Sequence, residues 1–69
     1  MSQEKLSPVM KKVLDHVNAI NYPTTPKIVS IALGIPHGTA KYCLAQLWRM
    51  NLVKRIGRTY IPINYQPKG

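Results

Sequence analysis

Acidic side chains are almost missing from this chain. Glu4 and Asp15 stand alone against ten Lys and Arg, which leaves a formal charge of +8 and a pI near 10.1. Beyond Asp15 there is no acidic side chain at all, so Lys27, Lys41, Arg49, Lys54, Arg55, Arg58 and Lys68 have no carboxylate partner within that stretch. A domain with this balance is drawn to a polyanion, although charge by itself does not choose between DNA, RNA and plain solvation of a basic surface. Two acids far apart, with no Cys-His or Ser-His spacing and no glycine-rich phosphate loop, also leave little from which to assemble catalysis. The chain reads as a protein that is not an enzyme.

Cysteine is equally scarce. Cys43 alone can form no internal disulfide, and with His16 and His37 it falls short of the four ligands of a structural zinc site. No metal or cofactor is expected, and stability must come from packing. Long apolar runs are lacking too: MSQEKLSPVMKK has no segment of signal-peptide length, and nothing approaches the roughly 20 apolar residues of a membrane span. These absences predict a reducing, cytoplasmic setting with no membrane partner. No internal repeat or low-complexity segment interrupts the chain.

What is present fits one small domain. With 69 residues, folding buries roughly 60% of the surface that the unfolded chain exposes, which leaves no room for a second domain or a deep pocket. The 45% hydrophobic fraction beside 17% charged residues suits a compact fold and is too apolar for a disordered tail.

Ser7-Pro8 reads as a helix cap followed by a first helical residue: the Ser oxygen can accept from a free N–H, and Pro has none to leave unpaired. Val9, Met10, Val13, Leu14, Val17 and Ile20 then recur at helical spacing, predicting a first helix over 8–20. Asn21-Tyr22-Pro23 ends it, since the residue before a proline is pushed out of the α region. Thr25-Pro26 repeats the start signal, and Ile28, Ile31 and Ala32 predict a short second helix closed by Gly34. Ala40, Cys43, Leu44 and Leu47 resume helical spacing after Ile35-Pro36 and predict a third helix ending near Met50-Asn51. On that helix Gly38, Lys41, Tyr42, Ala45 and Arg49 fall opposite the apolar stripe, with Trp48 on its flank. Residues 52–56 and 59–63 are rich in β-branched and aromatic types around Gly57-Arg58, which predicts a β-hairpin with a type II′ turn and Pro62 on an edge strand. The predicted class is α+β, mostly α. Residues 1–7 form an N-terminal arm, 8–63 the domain and 64–69 a flexible tail.

Helix, short helix, tight turn, helix and hairpin, in that order, resemble the winged helix-turn-helix domains of small bacterial, archaeal and phage transcription regulators. The resemblance covers about residues 8–63. It is carried by Ile28-Val29-Ser30-Ile31-Ala32-Leu33-Gly34-Ile35, by Ala40, Leu44 and Leu47, and by Asn51-Leu52-Val53, which stands where the family has Gly-Leu-Val. Asn51 replaces the glycine tolerably because Asn also visits the left-handed region, Pro36 stands where a Ser or Thr cap is common, and the wing is short.

By this resemblance the third helix enters the major groove of duplex DNA, and His37, Gly38, Thr39, Lys41 and Tyr42 are its readers. Thr39 and His37 can hydrogen-bond bases or phosphates, and Lys41 can reach phosphate or guanine. Gly38 and Ala45 let the backbone come close, while Arg49 meets phosphate. Thr25 and Lys27 open the second helix, whose N-terminus suits a phosphate oxygen; the cap role alone accounts for Thr25. Lys54, Arg55 and Arg58 gather around Gly57, where an arginine on a narrow tip suits the minor groove; charge on an edge strand also guards against aggregation. Trp48 could stack on a base, but its flanking position favours a core or hinge role. Cys43 reads as a small buried hydrophobe, and His16 as a structural or surface residue.

The function this implies is transcriptional control by a nucleoid-associated, duplex-binding protein with no small-molecule effector, acting as a monomer or weak homodimer. Two other classes compete with it. One is a winged-helix module that meets protein or RNA within a larger complex, and the other is a ribosome-associated basic protein.

Overall fold

A computed structural model describes residues 7–65. The predicted arm over 1–7 lies outside the described residues except for Ser7, and the tail over 64–69 does so except for Asn64 and Tyr65. Tyr65 donates its N–H to the Pro62 carbonyl (3.0 Å), so the chain turns as it leaves the last strand.

Three helices, α1 (Pro8–Ile20), α2 (Pro26–Leu33) and α3 (His37–Arg49), precede two strands, β1 (Val53–Ile56) and β2 (Thr59–Pro62). The fold is the predicted α+β, a mostly helical winged-helix layout. Local chemistry sets the boundaries. Ser7 Oγ accepts from the Met10 N–H (3.3 Å) and Thr25 Oγ1 from the Ile28 N–H (3.2 Å), each with Pro in the first turn. At the other ends Asn21 and Gly34 take left-handed conformations, with φ of 47° and 67°.

The helix-turn-helix junction is tied by one residue. The Ser30 carbonyl accepts from both Gly34 and Ile35 N–H groups, and the Ser30 hydroxyl returns a 2.6 Å bond to the Ile35 carbonyl. After α3, Asn51 sits at φ 64°, and the Leu52 N–H reaches back to the Leu47 carbonyl (2.9 Å). Asn51 thus supplies the left-handed cap for which glycine is the usual choice.

β1 and β2 pair antiparallel, Val53 with Pro62 and Arg55 with Tyr60. Gly57 has φ 60° while Arg58 stays at negative φ, the sign pattern of a type II′ turn. Unforeseen is a second pairing on the outer edge of β2. Thr24 and Tyr60 exchange both backbone bonds, at 3.0 and 2.8 Å, so the segment before α2 acts as a one-residue third strand.

The core gathers Val13 and Val17 of α1, Val29 of α2, Ala40, Cys43, Leu44 and Leu47 of α3, and Val53 and Tyr60 of the hairpin. Two expectations need correction. On α2 the buried residue is Val29, while Ile28 and Ile31 are 50% and 72% exposed and Ala32 is also exposed. Apolar residues lie all round this two-turn helix, so spacing fits two registers, and packing against α1 and α3 selects Val29 with the half-buried Leu33. On α1, Ile20 closes the stripe but remains exposed. Among the described residues, no helix is long and apolar enough to cross a membrane.

Candidate nucleic-acid interface

Helical geometry divides the exposed side of α3 into two lines. His37, Lys41 and Trp48 are spaced by four and seven residues and fall within about 40° of one another at 100° per residue. Gly38, Tyr42 and Arg49 repeat the spacing one residue on and form a parallel line. The first line faces the hairpin.

Between α3, the start of α2 and the hairpin lies an open concavity of about 520 Å³, lined by Thr25, Pro26 and Lys27 from α2 and its cap, His37 and Lys41 from α3, and Arg55, Arg58 and Tyr60 from the hairpin. Six of the eleven residues singled out in the sequence therefore meet at one groove: Thr25, Lys27, His37, Lys41, Arg55 and Arg58. Pro26 and Tyr60 were not foreseen there. Tyr60 reaches it because its strand is gripped from both sides, by β1 and by Thr24.

The remaining five lie elsewhere. Gly38, Tyr42 and Arg49 are exposed along the second line of α3, with Tyr42 61% exposed. Thr39 is half-buried on the far side of the first turn. Lys54 is exposed, but strand alternation turns it to the face opposite Arg55, so the three hairpin cations do not act as one cluster.

Among the described residues no carboxylate lies at the groove. Asp15, the one acidic side chain among the described residues, sits on α1 and pairs loosely with Lys11 (3.9 Å), both being well exposed. Such an i,i+4 pair, with the cation on the N-terminal side, contributes little. The field at the groove is set by Lys27, Lys41, Arg55 and Arg58.

The first residues of two helices border this groove. Thr25 already satisfies one N–H of α2. At α3, Pro36 occupies the cap position with no side-chain acceptor, so the free N–H groups of the first turn are left for solvent or a ligand. Gly38, in that turn, lies within the helix at negative φ, and a Cβ built on it would meet no atom within 4 Å beyond its chain neighbours and the adjoining helix backbone. Neither its conformation nor the packing requires glycine there.

Cys43 is buried, as expected of a small hydrophobe, and burial pushes its thiol up from the ordinary range. Of the core or hinge role favoured for Trp48, the core half does not hold, while the ring does stand between α3 and the hairpin. It is 42% exposed, and the Arg55 guanidinium carbon lies 5.3 Å from its ring centroid. Sequence spacing had put Trp48 on the flank of the α3 stripe; its partner comes from the hairpin and could be seen only in three dimensions. Comparison of the chain with protein families, with curated proteins and with solved structures gives no match.

Proposed function

We propose that this protein binds double-stranded DNA and acts as a sequence-specific transcriptional regulator, with α3 in the major groove and the Gly57-Arg58 tip on the adjacent minor groove or backbone. The observation that carries the reading is the meeting of Lys27, Lys41, Arg55 and Arg58 from three separate elements at one groove that has no acid beside it among the described residues. Those cations serve phosphate, which fixes the position of a protein on the duplex. Base reading falls to the neighbouring exposed line of α3, where Tyr42 projects and Gly38 permits close approach. His37 stands where the two lines begin, and Arg49 serves phosphate at the far end. The same reading assigns the chain no catalytic step, no cofactor and no effector, and makes it a monomer or a weak dimer.

The test is fluorescence anisotropy of a labelled duplex over a range of salt. Each phosphate contact contributes about −0.9 to the log-log slope, so the four groove cations with Arg49 give about −4 to −5. Binding that ignores salt, or no binding at low salt, removes the reading. Selection from random duplexes then decides whether one motif is preferred.

A second reading, a winged-helix module that meets protein, has its own support in Ile28 and Ile31, exposed and uncharged on α2. Replacing both with Ser separates the two. Duplex affinity stays unchanged if the groove and α3 carry the function, whereas association with a protein partner is lost if α2 does.

A further inference from the structure

Arg55 differs from the other groove cations in being held before any ligand arrives. Its guanidinium carbon lies 5.3 Å from the Trp48 ring centroid and 6.0 Å from that of Tyr60, and its Nε–H donates to the Gly57 carbonyl at 3.1 Å. Among the described residues, Lys27, Lys41 and Arg58 have no side-chain hydrogen bond or aromatic contact of this kind.

Each restraint has a cause in the fold. Arg55 faces Tyr60 across the hairpin. Because the Tyr60 N–H and C=O are both spent on Thr24, Arg55 and Tyr60 form a pair without backbone bonds between them, the kind of rung that brings opposed side chains closest. Trp48 shares the α3 line of His37 and Lys41, so its ring stands where that line meets the hairpin.

The chemistry left over is specific. A guanidinium carries five N–H donors in a planar fork. Here the Nε–H is engaged and the four Nη–H donors have no acceptor among the described residues, at the edge of a groove that Arg55 itself lines. A free edge of that shape matches two oxygens of a phosphodiester, a geometry that lysine cannot supply. We propose that Arg55 is a preset bidentate fork for one backbone phosphate, and that Trp48 is the positioning residue that sets it. The proposal rests on the duplex-binding reading above. Its physical content is preorganisation: a side chain already restrained loses less rotamer freedom on contact. A merely mechanical role for Trp48, joining the hairpin to α3, makes a different forecast.

The experiment is a double-mutant cycle on the full chain, titrating a labelled random-sequence duplex with wild type, Trp48→Ala, Trp48→Phe, Arg55→Ala, Arg55→Lys and the Trp48→Ala/Arg55→Ala pair. Melting curves check that each folds. Trp48→Ala weakens binding about 3- to 5-fold, the scale of an exposed cation–π contact, and Trp48→Phe restores most of it. Arg55→Ala weakens binding further and lowers the salt slope by about 0.9. Arg55→Lys keeps the slope and loses most of the affinity. Once Arg55 is gone, Trp48→Ala has no additional effect. Additive losses, or a Trp48→Ala protein that melts lower yet binds normally, overturn the proposal while the DNA reading stands. The contact is also checked without DNA. Trp48 is the only tryptophan, so its emission in the free protein must change on Arg55→Ala, and an unchanged spectrum overturns the proposal. A wild type that binds no duplex overturns both the DNA reading and the phosphate role, whatever the spectrum shows.

Discussion

α2 and α3 begin alike and end up opposite. Each starts beside a proline, but Thr25 closes the first turn of α2 with its own hydroxyl, whereas Pro36 offers α3 no side-chain acceptor. Beyond Lys27 the exposed side of α2 is apolar, with Ile28 and Ile31, and that of α3 is mainly polar, with His37, Lys41, Tyr42 and Arg49 around Trp48. α2 is completed by local chemistry, and α3 is left incomplete in a way that suits an anionic partner. A helix can thus be well packed on one side and chemically unfinished on the other, and the unfinished features of α3 gather at its start, which borders the groove.

The harshest way to break this comparison is through the shared core. Leu44→Ala removes a fully buried side chain of α3 and should cost about 2 to 5 kcal/mol, enough to unfold much of so small a domain. Circular dichroism melts check it. A small loss would mean that the α3 register is wrong.

The cap is the next test. Thr25→Ala should lower stability by about 1 kcal/mol through the lost bond to the Ile28 N–H, read as a shift in denaturant midpoint. It should also reduce duplex affinity modestly, because the hydroxyl that accepts from the Ile28 N–H keeps its O–H free to donate to a phosphate.

Gly38→Ala sharpens the contrast by moving the two properties in opposite directions. With no atom within 4 Å of the new Cβ beyond its chain neighbours and the adjoining helix backbone, the helix should gain about 0.5 to 1 kcal/mol. If DNA comes close to this turn, affinity should fall while the melting temperature rises. A gain in stability with unchanged affinity would show that the glycine serves no partner.

Tyr42→Ala should have the smallest effect on folding, within about 0.5 kcal/mol for an exposed position, and its effect on binding should be qualitative. Preference for one duplex over a scrambled one should fade while non-specific affinity persists. Equal preference in variant and wild type would take the reading role away from the second line of α3.

The boundaries of all three helices and the hairpin turn were legible in the sequence because short-range chemistry sets them: Ser7 and Thr25 with their prolines, Gly34, Asn51, and Gly57. The register of α2 was not, because Ile28, Val29, Ile31, Ala32 and Leu33 satisfy two apolar faces at once, and only the surfaces of α1 and α3 decide between them. Ser30 belongs to the helix-turn-helix pattern, yet its role in locking the turn depends on a carbonyl five residues away. For the candidate site, residue types were readable and their grouping was not. Thr25, Lys27, His37, Lys41, Arg55 and Arg58 converge because the hairpin folds back beside α3, whereas Lys54, adjacent to Arg55 in sequence, faces the other way. The aromatic contacts of Arg55 belong to the same non-local information.

The Thr24–Tyr60 pairing bears on how the molecule can come together. The chain between them holds all of α2, α3 and β1, so these two backbone bonds close a loop around the whole helix-turn-helix. Contacts so distant in sequence are made late and at an entropic cost that local turns do not bear. The helix-turn-helix should therefore not fold as an isolated peptide: α2 and α3 excised without the hairpin would lose Val53 and Tyr60 from the core along with the clasp that joins their ends. Folding should be a single cooperative event in which the last strand is also the fastener, and amide exchange at Thr24 and Tyr60 should be as slow as at the centre of α3.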